Sequence, residues 1–267
     1  MTIRELRDKY ISQGYSHKDI SNLVAEEIII RKIASSELAE HVTFKGGIVL
    51  FNLSKNNRRV TQDIDFDLIS YSIDNDSLLN FVQQLNKNND GLIVSTNGNI
   101  LELHQEDYHG ARIALFIEDK EKQKIRFKLD VGVHTYCDIV QTKIIFSFDS
   151  NEKGIMVTAN PPEQIFAEKL LSFARLGVVS TRFKDLYDFY YLIKQCELSP
   201  KKVKEVLQMF LNNSSREHRD VNYVVGAVSQ ALNNTSFAQR ATQATARWID
   251  VSFDDLKHTI VDFIKRF

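Results

Sequence analysis

The chain of 267 residues carries 34 Lys and Arg against 35 Asp and Glu, a formal charge of -1, with 43% hydrophobic and 26% charged residues. This is the balance of an ordinary globular protein, and it argues against attachment to nucleic acid by charge alone, which needs a surplus of phosphate-neutralising Lys and Arg, while leaving room for a local basic groove. At roughly 100 to 200 residues per domain, the length fits two domains or one large one, with two the better starting point.

No stretch approaches the roughly 18 apolar residues of a spanning helix, and the opening MTIRELRDKY lacks the basic-then-apolar layout of a signal peptide. A cytoplasmic protein without membrane association is expected. Cys137 and Cys196 lie far apart and form no Cys-x-x-Cys pair, so two buried free thiols are expected rather than a disulfide framework or zinc knuckle.

Along the chain, Ser16 is placed to cap a helix whose apolar positions Ile20, Leu23, Val24, Ile28 and Ile33 follow helical spacing. A short strand, Val42 to Phe44, meets Gly46-Gly47, and IVLFNLSK then opens a helix. Residues 60–69 read as an alternating strand, followed by strands over 92–95, 100–104, 112–117, 124–133, 143–148 and 155–158, separated by Asn, Gly and Asp turns. A mixed sheet flanked by helices results.

Seven of the ten glycines fall between Gly46 and Gly154, and only Gly177 and Gly226 follow Pro161-Pro162. That places a boundary near residue 160, with domains 1–160 and 161–267. Residues 161–267 carry 15 Lys and Arg against 12 Asp and Glu (+3), leaving 19 and 23 (-4) for the first part. Pro162 suits a first helical position, and Ile165, Phe166, Leu170, Phe173 and Ala174 give that helix an apolar face. Four further helix signals follow, at FKDLYDFYYLI after Thr181, after Ser199-Pro200, at Val224, Val228 and Leu232, and after Ser252, where Asp255 completes a sequence like a capping box. The expected class is α+β, with the second domain a helical bundle.

Chemistry concentrates in a few segments. Asp63, Asp65 and Asp67 alternate with Ile64, Phe66 and Leu68, which on a strand puts carboxylates on one side and apolar groups on the other. Three like charges on one face repel unless a cation sits among them, and a hard divalent ion takes oxygen ligands of this kind; a solvated acidic face is the plainer reading of the same spacing. In KIRFKLDVGV, Lys124, Arg126, Lys128 and Asp130 face away from Ile125, Phe127, Leu129 and Val131, so strand pairing can set Asp130 beside the first pair. FKGGIVL joins a strand to a helix start through two glycines, where backbone N–H groups can approach phosphate oxygens. Neither a P-loop nor a G-x-G-x-x-G turn occurs, and no His-x-x-x-His or serine nucleophile elbow is present. In the second domain, Lys169 and the charged residues of TRFKDLYDFYYL are equally explained by charge pairing on helices.

Taken in order, FKGGIVL, RVTQDIDFD, KIRFKLDVGV, PPEQIFAEKL and RFKDLYDFY resemble the AbiEii/AbiGii toxin family of nucleotidyltransferases, within the DNA polymerase beta-like superfamily. The resemblance spans residues 44 to 190 and implies a nucleotidyltransferase-fold sheet. It assigns Gly46 and Gly47 to the triphosphate turn, Asp63 and Asp65 to the metal pair, and Asp130 to the third acid, with Lys128 beside it. Lys169 matches a helical lysine expected to contact phosphate and Asp185 an acid near the active site, with Arg182, Lys184 and Asp188 in the same segment. It further implies two Mg2+ ions, with Mn2+ a substitute, an NTP substrate, an RNA acceptor such as a tRNA 3′ end, and a cognate antitoxin. Tyr187, Tyr190 and Tyr191 offer stacking platforms for single-stranded RNA, although aromatics at helical spacing are more often core.

Two departures stand out. Ile48 occupies a position where the family carries Ser or Thr, removing a hydroxyl ligand for phosphate, and fifteen residues separate Gly47 from Asp63, slightly long for the superfamily. Transfer to a protein or small-molecule hydroxyl, or a non-enzymatic nucleotide or RNA binder on the same scaffold, are the alternatives.

Overall fold

The sequence closes its first helix at both ends of one turn. Thr2 accepts from the Glu5 amide while Glu5 accepts from the Thr2 amide, a capping box that starts α1 (Ile3–Ser12). This computed structural model describes residues 1–61, 63–105, 108–134, 138–148, 153–213 and 220–267. The chain divides into two compact units, Met1–Asn160 and Pro161–Phe267.

In the first unit, α2 (His17–Ala34) begins after Ser16 and buries Ile20, Leu23, Val24, Ile28 and Ile33. Glu27 ties α2 to α1: its fully buried carboxylate accepts from Lys9 at 3.0 Å, the Tyr10 hydroxyl at 2.8 Å and Arg31 at 2.7 Å. So many donors satisfy a charge that would otherwise be costly to bury. Burial, and then the Glu27 charge, hold the Tyr10 hydroxyl protonated far above the ordinary tyrosine range.

The strands are β1 (Val42–Phe44), β2 (Ile64–Leu68), β3 (Leu92–Gln105), β4 (Tyr108–Asp119), β5 (Lys124–Val133), β6 (Thr142–Phe146) and β7 (Ile155–Ala159), with α3 (Gly46–Ser54) after β1 and α4 (Asn75–Gln84) after β2. Among the described residues they form one mixed sheet of seven strands in the order β3-β4-β5-β2-β1-β7-β6. β2 and β5 run parallel at its centre, as do β1 and β7, while the other neighbours are antiparallel. Ile64, Phe66, Leu68, Ile125, Phe127, Leu129 and Val131 are all buried, so the period-two pattern supplies one core face.

Three expectations change. The strand expected over 60–69 is confined to Ile64–Leu68, because Asn57–Arg59 forms a 3-10 turn and Asp63 stands just ahead of the strand. The two strands expected over 92–95 and 100–104 are one, interrupted in register between Thr96 and Ile100 as a bulge would do. Helices α1 and α4 lie where no element was expected.

The second unit consists, among the described residues, of helices α5 (Pro162–Leu176), α6 (Phe183–Gln195), α7 (Pro200–Asn212), α8 (Val221–Asn233), α9 (Thr235–Gln243) and α10 (Phe253–Ile264), plus a short 3-10 turn at Gly177–Val179. Pro162 starts α5, and Ser252 caps α10 by accepting from the Asp255 amide at 3.1 Å while its hydroxyl donates to the Asp255 carboxylate. Phe166, Phe173, Phe189, Phe237, Phe263 and Trp248 form the apolar interior. Tyr187 is buried with them, and Tyr191 packs at a tilt against Trp248, with 5.4 Å between ring centroids. Cys196 is a free thiol, half-buried rather than buried, pushed up to about 11 chiefly by desolvation; Cys137 lies outside the described residues. Among the described residues, no helix is long and apolar enough to cross a membrane.

Candidate active site

The first unit gathers its candidate site residues where β1 ends, β2 begins and α3 starts. Gly46 has φ +63°, a left-handed conformation natural to glycine, and a Cβ there would stand 3.1 Å from Asp65 Oδ2. The Lys45 amide donates to the Asp65 carbonyl at 3.1 Å. The glycine turn therefore lies directly against the second carboxylate of the Asp63/Asp65 pair. At Gly47 a Cβ would fall 2.6 Å from the Thr61 hydroxyl oxygen, so the lack of a side chain is a steric requirement. Ile48 is fully buried and belongs to the core. The family's hydroxyl is missing from the helix at this position, but Thr61 packs a hydroxyl onto the same turn.

Register brings the acids together. Asp65 pairs with Asp130 across the parallel β2–β5 ladder, and Asp130 pairs with Arg112 across the antiparallel β4–β5 ladder. Directly opposed residues share a face, so Asp65, Asp130 and Arg112 form a row across three strands. Arg112 Nε lies 2.6 Å from Asp130 Oδ1 and its Nη2 2.5 Å from Oδ2, a two-point ion pair. Hydrogen bonding to Asp130 raises the Arg112 pKa above the usual guanidinium range, and the charges of Asp130, Asp63 and Asp65 add to it. Asp63 is half-buried just before β2.

Asp67 departs from the exposed acidic face that the spacing suggested. It is buried and ion-paired to Lys45. Lys128 is exposed on β5, two residues before Asp130. As these side chains stand, no group of three or more carboxylate, His or Cys donors among the described residues is arranged to hold a metal ion. The oxygen donors of Asp63 and Asp65 suit a hard divalent cation, whereas both oxygens of Asp130 are already taken by Arg112.

In the second unit, Lys169 on α5 meets α6. Its Nζ lies 2.5 Å from Asp185 Oδ1 and 2.9 Å from Asp188 Oδ2, with Lys169 largely buried and Asp188 wholly so. Trp248 Nε1 donates to Asp188 Oδ1 at 3.1 Å. Asp185 Oδ2 is buried without a hydrogen bond among the described residues, and Arg182, half-exposed at the start of α6, stands 3.9 Å from it. Lys184 is half-buried on the same helix.

The expected residues thus fall into two groups, one in each unit: Gly46, Gly47, Asp63, Asp65, Lys128 and Asp130, and Lys169, Arg182, Lys184, Asp185 and Asp188. Sequence reasoning missed Arg112, Lys45, Thr61 and Trp248. Arg112 had a readable signal: the hairpin closing at residues 120–123 pairs Glu118 with Lys124, and that register carries Arg112 to Asp130. Lys45, Thr61 and Trp248 act through tertiary contacts that no local pattern announces.

The sheet thus sets two central strand carboxylates, Asp65 and Asp130, beside a glycine turn at a helix start, the arrangement that the resemblance to nucleotidyltransferases implied. The model of the nucleotidyl transferase AbiEii toxin family, of type IV toxin–antitoxin systems, matches residues 28–254. The chain belongs to that family of nucleotidyltransferases. Comparison with curated proteins returns no match. Among solved structures, the chain is similar to the antibiotic-resistance factor ANT(2'')-Ia in its solution structure, at 15% identity and a TM-score of 0.44, covering 73% of this chain and 93% of that one. It is also similar to an antigenic nucleotidyltransferase-like protein from Paracoccidioides brasiliensis, at 18% identity and a TM-score of 0.42, covering 80% and 94%.

Proposed function

We propose that the chain is a Mg-dependent toxin that transfers a nucleoside monophosphate from an NTP to the 3′ hydroxyl of an RNA such as tRNA, held in check by a cognate antitoxin in the cytoplasm. The observation that carries the chemistry is the juxtaposition of Gly46 with the Asp65 carboxylate, with Asp130 in register beside it. The first N–H groups of a helix and the positive end of its dipole, here at the start of α3, suit phosphate oxygens. Asp63 and Asp65 would hold the divalent ions, which when bound stabilise charge on attacking and leaving oxygens. Lys169 is the proposed phosphate contact of the second unit, oriented by Asp185 and Asp188, with Arg182 and Lys184 adding positive charge. The acceptor oxygen forms its bond to the α-phosphorus as the bond to pyrophosphate breaks, a reaction that depends mainly on positioning and charge stabilisation. The +3 balance of residues 161–267 favours an RNA acceptor.

The test incubates the protein with each α-labelled NTP, Mg2+ and total bacterial RNA, beside an Asp65→Ala variant. Labelled RNA that is lost with Asp65→Ala is expected, and identifies the nucleotide. A folded protein that leaves RNA unlabelled with all four NTPs sinks the RNA reading. Label on protein or small molecules then marks the other transferases, and NTP binding without any turnover marks a binder.

A further inference from the structure

We propose that Arg112 is a resident counter-cation of the catalytic carboxylates, holding Asp130 by both oxygens and competing with the divalent ion for it. This inference rests on the reading that Asp63 and Asp65 hold metal. The placement comes from the backbone: Arg112, Asp130 and Asp65 are successive cross-strand partners on β4, β5 and β2. Asp130 is largely buried, with a side-chain exposure of 15%, and has Asp65 opposite it in the parallel ladder. Like charges at that spacing need a neutralising partner, and a guanidinium supplies one that stays charged at every physiological pH.

The two-point geometry gives the pairing its consequence. With bonds of 2.6 and 2.5 Å to the two oxygens, Arg112 fills the positions in which a carboxylate would approach a cation bidentately. A metal ion that recruits Asp130 must open this fork. Arg112 can yield, because its long side chain is 35% exposed. Its planar set of donors also matches phosphate oxygens, so the incoming nucleotide offers the released guanidinium an alternative partner. Arg112 is thus a positioning residue: it orients Asp130 and offsets the charge of Asp130 opposite Asp65 before metal and nucleotide arrive.

The competition is read without turnover, by Mn2+ binding to the nucleotide-free protein followed by electron paramagnetic resonance. Replacing Arg112 with Gln removes the competing charge, and Mn2+ affinity is expected to rise about tenfold, the effect of one neighbouring unit charge on a carboxylate site. Adding Asp130→Asn to Arg112→Gln should cancel the gain, because the competition acts through Asp130. Arg112→Lys, which keeps the charge but loses the fork, should give a smaller rise in the same direction and serves if the Gln variant does not fold. Unchanged or weaker Mn2+ binding in both Arg112 variants overturns the proposal. Wild-type Mn2+ binding that survives Asp63→Asn with Asp65→Asn shows instead that the metal reading itself is wrong.

Discussion

Two glycines at the head of α3 differ in what they forbid. Gly46 is constrained by its positive φ and by Asp65; Gly47 is constrained by Thr61 alone, whose hydroxyl oxygen would lie 2.6 Å and whose Cβ 3.0 Å from an added methyl group. Overpacking of this kind costs about 1–3 kcal/mol. Gly47→Ala should lower stability by that amount in denaturant unfolding, and pairing it with Thr61→Ala should recover most of the loss. A double-mutant cycle that shows the two changes to be additive would remove Thr61 as the cause. The same contact explains why Ile48 is tolerated: its side chain is core, and the hydroxyl nearest the turn comes from a residue thirteen positions later.

At the scale of elements, what was legible was what a local period can encode. β5 spans Lys124–Val133 as its alternation indicated, and α5 buries the five apolar residues that its spacing selected. The rows of acids were legible as types and faces, but their mutual placement depends on strand order, which alternation does not contain. Asp67 shows the limit: it alternates in phase with Asp63 and Asp65, yet Lys45 draws it into a buried ion pair. Helix α1 does carry a local signal, the Thr2-x-x-Glu5 capping box, but its anchor, Asp119 accepting the Ile3 amide across 116 residues, is one that no local pattern contains. The α5–α6 pairing is likewise tertiary, joined by Lys169 and braced by Trp248 at Asp188. A hydrogen bond to a buried charge contributes about 1.5–3 kcal/mol, so Trp248→Phe should lower the unfolding free energy of the helical unit by at least that range. A lower denaturant midpoint at unchanged slope is the expected signature; an unchanged midpoint would mean that the Trp248 bond to Asp188 adds nothing to the stability of the unit.

At the scale of the whole molecule, each unit carries its own interior. The strands of the first unit close with β7 at Ala159, and the Asn160 amide donates to the Phe44 carbonyl at 2.8 Å, so the sheet is complete at the boundary. The second unit encloses Phe166, Phe173, Phe189, Phe237 and Phe263, with Trp248 only 1% exposed. A segment with its own buried core can fold independently, and residues 161–267 made alone are therefore expected to unfold cooperatively. Trp248 is the single tryptophan of the chain, so its fluorescence reports on this unit alone, in the fragment and in the full protein alike. Blue-shifted emission in the fragment, lost in one sigmoidal step as denaturant rises, is the expected result. Emission already at the wavelength of water-exposed tryptophan without denaturant would show that this core forms only when residues 1–160 are present, and the second unit would then owe its order to the first.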